Sequence, residues 1–172
     1  MILETPEGLG TRPTSDRIKE TLFNMISPDI YDSYFLDLFS GSGQMGIEAI
    51  SRGAREAIFI EKDKSAIACI ERNLKKAKMN DCTKLYKDDV ISALSRLKHE
   101  EFDIIFMDPP YNKSIEKEVL KNLADLDFVG NNTLIIVEAS LETKIDYLPE
   151  LGYKLLKEKT YKTNKHLFIE KA

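Results

Sequence analysis

Leu36-Asp37-Leu38-Phe39-Ser40-Gly41-Ser42-Gly43-Gln44-Met45-Gly46 carries a GxGxxG pattern directly after an apolar run and directly before a helical one. Glycines at this spacing let a strand turn sharply into a helix whose first amides can approach a ligand. Glu61 closes the next apolar run about 20 residues further on, where an acid can accept from ribose hydroxyls. Glycines that merely punctuate a strand and a helix would not need that acid.

Outward from this loop, short apolar runs alternate with helical patterns. Strands are expected at 35–39, 57–60, 84–87, 103–107 and 133–137, with a final pair near 153–160 and 166–170. Helices are expected at 44–52, 64–78, 90–98 and 114–126, the last with Ser114 as N-cap. The clearest is 64–78, where Ile67, Ile70, Leu74 and Ala77 recur at helical spacing with lysines opposite. Such alternation implies right-handed crossovers and a parallel sheet covered on both faces. Tyr161-Lys162-Thr163-Asn164-Lys165 reads instead as a turn between two antiparallel strands. At the other end, Thr14 or Ser15 caps a helix through about Ile26, with Ile18, Leu22 and Ile26 on one side and Thr11-Arg12-Pro13 as an extended lead-in. The expected fold is α/β: a doubly wound, mostly parallel seven-stranded sheet with a C-terminal antiparallel hairpin and an N-terminal helical attachment. It is read as one domain over 1–172, with the attachment at 1–30 and the core at 31–172.

The bulk numbers suit a globular chain of this kind. It has 172 residues, 42% hydrophobic and 31% charged, with a net charge of −4. No apolar run approaches the ~20 residues that span a bilayer, and no secretory leader is visible at Met1, so the cytoplasm is the expected compartment. Cys69 and Cys82 form no CxxC pair, and His99 and His166 are remote from them, so a zinc site or disulfide framework has little support. Cys69 reads as a small helix-packing residue. Basic residues cluster at 71–87 (Arg72, Lys75, Lys76, Lys78, Lys84, Lys87) and in the tail (Lys154, Lys157, Lys159, Lys162, Lys165, Lys171). Such patches can bind phosphates on an acidic protein, and equally can be solvated surfaces.

Asp108-Pro109-Pro110-Tyr111 follows the apolar run Ile104-Ile105-Phe106-Met107. Consecutive prolines fix φ twice and remove two donors, leaving a stiff row of carbonyls between a carboxylate and an aromatic ring. That combination suits a flat ring with an exocyclic amine, although a proline-made turn with a packing Tyr has the same ingredients. Asp37 helps choose the cofactor. Inside a buried strand an unpaired carboxylate is costly, it would repel a pyrophosphate, and it would gain a partner in the ammonium of S-adenosylmethionine (SAM). Asp89 stands where it can accept from an adenine amine or cap the helix that follows. Gly41, Gly43 and Glu61 complete this cofactor set, with Phe39, Ser42, Lys62, Val90 and Asp108 beside them. Bonds from an amine to the Asp108 carboxylate and the Pro109 carbonyl would draw its nitrogen toward sp3 geometry and aim its lone pair at the sulfonium methyl. Tyr111 would hold the plane of the base. No metal is needed, because the sulfonium is the electrophile.

Together these residues resemble the class I SAM-dependent methyltransferases of Rossmann-like fold that modify amines. Thr11-Arg12-Pro13-Thr14-Ser15-Asp16-Arg17-Ile18-Lys19-Glu20-Thr21-Leu22-Phe23-Asn24 narrows the likeness to the RsmD family. That resemblance implies methylation of a guanine N2 in 16S ribosomal RNA, free or in a small-subunit assembly intermediate, and a monomer is the default expectation. It also implies that Arg12, Pro13, Thr14 and Arg17 lie on the substrate side. The family's basic Arg-Gly-Arg-Lys-Leu-like opening is not seen before Met1-Ile2-Leu3-Glu4, and its loss would remove phosphate contacts. Three other readings stay open: an adenine-N6 methyltransferase on DNA or RNA, a nicotinamide dinucleotide oxidoreductase, and a non-catalytic RNA-binding scaffold.

Overall fold

A computed structural model describes residues 2–6, 15–111 and 113–172. The helices are α1 (Asp16–Met25), α2 (Ser27–Ile30), α3 (Gln44–Ser51), α4 (Lys64–Ala77), α5 (Val90–Arg96) and α6 (Ile115–Leu123). The strands are β1 (Tyr34–Leu38), β2 (Glu56–Glu61), β3 (Thr83–Lys87), β4 (Ile104–Met107), β5 (Leu134–Ser140), β6 (Tyr153–Thr160) and β7 (Asn164–Lys171). They form one sheet in the order β3-β2-β1-β4-β5-β7-β6. The first five strands run parallel, and β7 is antiparallel to both β5 and β6. β1 pairs with both β2 and β4, so the winding reverses there and opens a crevice beyond the C-terminal ends of β1 and β4.

Alternation along each strand feeds two cores. Leu36, Leu38, Ile58, Ile60, Ile105 and Met107 pack with residues of α5 and α6 on one face. Phe35, Phe59, Ile104 and Phe106 pack with residues of α1, α3 and α4 on the other. The buried side of α4 repeats at helical spacing through Ala66, Cys69, Ile70, Asn73 and Leu74. Asp63 caps that helix by accepting from the Ala66 N–H, and Lys78 ends it in the left-handed region at φ 57°. The N-terminal helix is docked firmly, with Leu22 and Phe23 buried and Phe23 stacked 6.3 Å from Phe35. Residues 2–6 run along α4, where Asn73 accepts from the Glu4 N–H (2.8 Å) and donates to the Glu4 carbonyl (3.0 Å). The same amide donates to the Ser42 carbonyl (2.9 Å), tying this segment to the glycine loop.

Several local expectations change. Ser15 is the N-cap of α1, accepting from the Ile18 N–H. Ser114 precedes α6 with φ 52° and makes no capping bond, so that helix begins without a side-chain cap. The hairpin turn is shorter than expected because β7 starts at Asn164, with the Tyr161 N–H donating to the Asn164 carbonyl. Pairing with β7 also carries β5 on to Ser140. In the basic stretch, Arg72 pairs with Glu4 and Lys87 with Glu71, so the chain's own acids offset part of that patch. The lead-in at Thr11, Arg12 and Pro13, with Thr14, lies outside the described residues.

Candidate active site

The glycine loop leaves β1 through a strained residue. Phe39 has φ 59°, a conformation costly for a residue with a β-carbon. Ser40 holds the turn by donating its hydroxyl to the Asp37 carbonyl (2.7 Å) and accepting from the Ile60 N–H (3.1 Å). Gly43 takes φ 80° at the N-terminus of α3. Gly46 serves a different need, since a Cβ there would lie 2.4 Å from the Phe59 ring. Its absence lets α3 press against β2 beneath the loop.

Glu61 ends β2 half-buried, its carboxylate oriented by three amides. Oε1 accepts from the Gly41 N–H (2.8 Å), and Oε2 accepts from the N–H groups of Lys62 (2.9 Å) and Asp63 (3.0 Å). A carboxylate has about four acceptor positions, so one remains for an incoming hydroxyl. Lys62 is exposed, and Val90 is buried at the start of α5. Asp89 caps α5 by accepting from the Ser92 N–H (3.0 Å), and those bonds to Ser92 hold its carboxyl below the ordinary range. It stays ionised, with acceptor capacity left beyond the cap.

Asp37 is 1% exposed in the middle of the sheet. It accepts one long hydrogen bond, from the Gly46 N–H at 3.3 Å. Burial pushes its carboxyl well above the ordinary range, and the Glu61 charge adds to the rise. Among the described residues no lysine or arginine pairs with it. A buried acid held this weakly has room for a cationic partner, so the loop fits the ammonium end of SAM.

Asp108-Pro109-Pro110-Tyr111 leaves β4 beside this acid, because Leu38 of β1 pairs with Met107. Pro109 is buried, whereas Pro110 and Tyr111 are exposed, Tyr111 to 38%. Asp108 is half-buried and stands beside Glu138 of β5, each following directly on the paired Met107 and Val137. Burial, then the Glu138 and Asp37 charges, push its carboxyl up to about 9. Glu138 in turn lies 2.8 Å from Nε2 of the fully buried His166. Neither Glu138 nor His166 is among the site residues expected from the sequence. The signal was the one that marked Asp37, a charged residue inside an apolar strand, but the run at 133–137 stopped one residue short of Glu138. Arg17 stands exposed on α1, so the structure brings together the two acids, the glycine loop, Glu61 and the proline tetrapeptide. Among the described residues no group of His, Cys, Asp and Glu is placed to hold a metal ion, and no helix is long and apolar enough to cross a membrane.

The family model described as Conserved hypothetical protein 95 matches residues 2–170. Ribosomal RNA small subunit methyltransferase D of Haemophilus influenzae is 38% identical over 157 residues, covering 88% of this chain and 78% of that protein. The protein of the same name from Escherichia coli is 35% identical over 157 residues, covering 91% and 78%. The solved structure of yhhF from Escherichia coli superposes with a TM-score of 0.83 at 32% identity, covering 98% of this chain and 90% of that one.

Proposed function

The chain belongs to the Conserved hypothetical protein 95 family, the RsmD family, and from that membership we propose that it methylates the exocyclic N2 amine of a guanine in 16S ribosomal RNA. Bound SAM would supply a sulfonium methyl group as the electrophile. Asp37 holds the ammonium, Glu61 accepts from the ribose hydroxyls, and Asp89 accepts from the adenine amine. Phe39, Gly41, Ser42, Gly43, Lys62 and Val90 line the same crevice. The observation that carries the reading is the placement of buried Asp37 next to the Asp108 tetrapeptide, on adjacent parallel strands at the winding reversal. A cation-seeking acid and an amine-accepting acid thereby share one crevice.

Asp108 and the Pro109 carbonyl take the two amine hydrogens, Pro110 keeps that carbonyl fixed, and Tyr111 offers its exposed ring to the base. Orienting a weak nucleophile in this way accelerates transfer chiefly by positioning. Arg12, Pro13, Thr14 and Arg17 are the residues we assign to substrate binding, on the family likeness. The protein acts as a monomer in the cytoplasm on the RNA or on a small-subunit assembly intermediate. The test is transfer of label from SAM to small-subunit particles from cells lacking the enzyme, followed by mapping of the labelled nucleotide. Label is expected on guanine N2, while label on adenine N6, or on DNA alone, overturns the assignment. Asp108→Ala should lower kcat by at least about 100-fold with SAM affinity retained, and undiminished turnover would remove Asp108 from the reaction.

A further inference from the structure

Methylation of an amine releases one N–H proton, and the residues behind Asp108 provide a place for it. Asp37, Asp108, Glu138 and His166 each stand two positions from a member of one core cluster: Phe35, Phe106, Ile136 and Phe168. Strand alternation puts all four on the same face of the sheet. Phe106 pairs with Ile136 and Glu138 with His166, so Asp108, Glu138 and His166 follow one another across β4, β5 and β7.

Chemistry fixes how many protons this row holds. Asp108 and Glu138 each follow directly on the paired Met107 and Val137, and two carboxylates side by side in a buried place hold one proton between them instead of both ionising. His166 decides which. Its Nε2 faces Glu138 at 2.8 Å, and Nδ1 is buried with no partner among the described residues. The tautomer with Nε2–H donates to Glu138 and leaves Nδ1 a bare lone pair instead of a stranded N–H. Glu138 is thus held as the carboxylate, and Asp108 carries the proton, as its raised carboxyl also requires. The other groups facing the pair are Asp37 from β1, which adds to the rise, and Tyr161, whose ring stands 5.3 Å from that of His166. Lys165, next in the chain, is engaged with Glu158 and the Thr143 carbonyl.

We propose that Glu138, fastened by His166, forms with Asp108 a one-proton acid pair that discharges its proton when a cationic cofactor enters and regains one from the target amine. Glu138 is a positioning residue in this scheme, because it acts through Asp108. The proposal rests on the reading of the crevice as a SAM site. Positive charge beside Asp37 and Asp108 favours their ionised forms, so the shared proton departs to solvent and Asp108 becomes the acceptor that the amine requires. During transfer the C–S bond breaks with its electron pair on sulfur, the N–C bond forms, and the surplus N–H proton passes to Asp108. With the sulfonium charge gone, the pair keeps that proton. One proton leaves and one returns in each cycle.

Calorimetric titration of the full chain with SAM, and with S-adenosylhomocysteine, in buffers of different ionisation enthalpy counts the protons released at neutral pH. SAM should release about one proton more than S-adenosylhomocysteine, because both bring the ammonium that discharges Asp37 and only SAM brings the sulfonium charge. In Glu138→Gln the side-chain amide donates to an ionised Asp108, so SAM should bind with the release cut at least about twofold. Binding of SAM without proton release, or equal release with both ligands, overturns the acid pair and leaves the methyltransferase reading standing. Failure of SAM to bind overturns that reading, and the acid pair with it. The two wild-type titrations decide the matter even where the variant does not fold.

Discussion

Asp37 is a buried acid that the surrounding protein satisfies poorly. Its carboxyl is buried, meets one long amide bond, and is held well above the ordinary range by burial first and the Glu61 charge second. Below the ordinary carboxylate range both folded and unfolded chains hold the proton, and stability is unaffected. As pH rises through that range the unfolded chain ionises while folded Asp37 keeps its proton, so stability falls until the folded value is passed. Asp37→Asn removes this slope. As pH rises above the ordinary carboxylate range, melting of the variant should decline measurably less than that of the wild type. SAM affinity should fall by at least about 10-fold in the same variant, from loss of the ammonium partner. Parallel melting curves would show that Asp37 is ionised in the empty protein. Its position was legible because an acid inside an apolar strand has few structural reasons to be there. Glu138 and His166 carried the same signal, but their meaning depended on strands far apart in sequence being placed side by side.

At the level of elements, the glycine loop separates a position that leaves open space from one that serves packing. Gly41 has open space where a Cβ would stand, whereas Gly46 has the Phe59 ring. GxGxxG marked all three glycines as one signal, and only the packed structure separates them. Gly46 lies within α3, where alanine would by itself favour the helix by about 0.5–1 kcal/mol. Overpacking against fully buried Phe59 costs about 1–3 kcal/mol and should outweigh that gain. Gly46→Ala is therefore expected to lower the melting temperature by several degrees, at roughly 2–4 °C per kcal/mol. In a Phe59→Leu background the same change should be much less harmful, with a coupling of at least about 1 kcal/mol in denaturant titrations. Strict additivity would mean that another contact sets the approach of α3 to β2. The boundary errors have a similar origin. Ser114 reads as a cap from its neighbours, yet it stands in the left-handed region and makes no side-chain bond to the α6 amides. β5 ran past its apolar run because β7 supplied hydrogen-bonding partners as far as Ser140.

For the molecule as a whole, the alternation of strands and helices announced a parallel sheet, because each crossover helix must cover a face. The hairpin was legible too, but which of its arms lies inside follows from burial. Asn164-Lys165-His166-Leu167-Phe168-Ile169 is buried between β5 and β6, whereas β6 is exposed at every position after Tyr153. β6 is thus an edge strand, with Leu155 at 39% and Leu156 at 49% exposure. An edge of this kind can pair with the same edge of another molecule unless something opposes it. Two features do so. A register irregularity between Leu155 and Lys157 breaks the regular ladder, and Lys157 and Lys159 place like charges where a second copy would align. Lys154 is paired with Glu170 and contributes less. Replacing Lys157 and Lys159 with valine keeps the strand propensity and removes the repulsion. The variant should sediment as a concentration-dependent mixture of monomer and larger species, with an unchanged circular dichroism spectrum at high dilution. Wild-type protein should move the same way, more weakly, as salt rises to about 1 M and the Debye length shrinks to about 3 Å. If the double variant stays as monodisperse as the wild type, those lysines do not guard the edge, and their clustering there is left to contacts with RNA phosphates. That alternative has its own signature, a loss of RNA affinity whose salt slope falls by about one unit for each lysine removed.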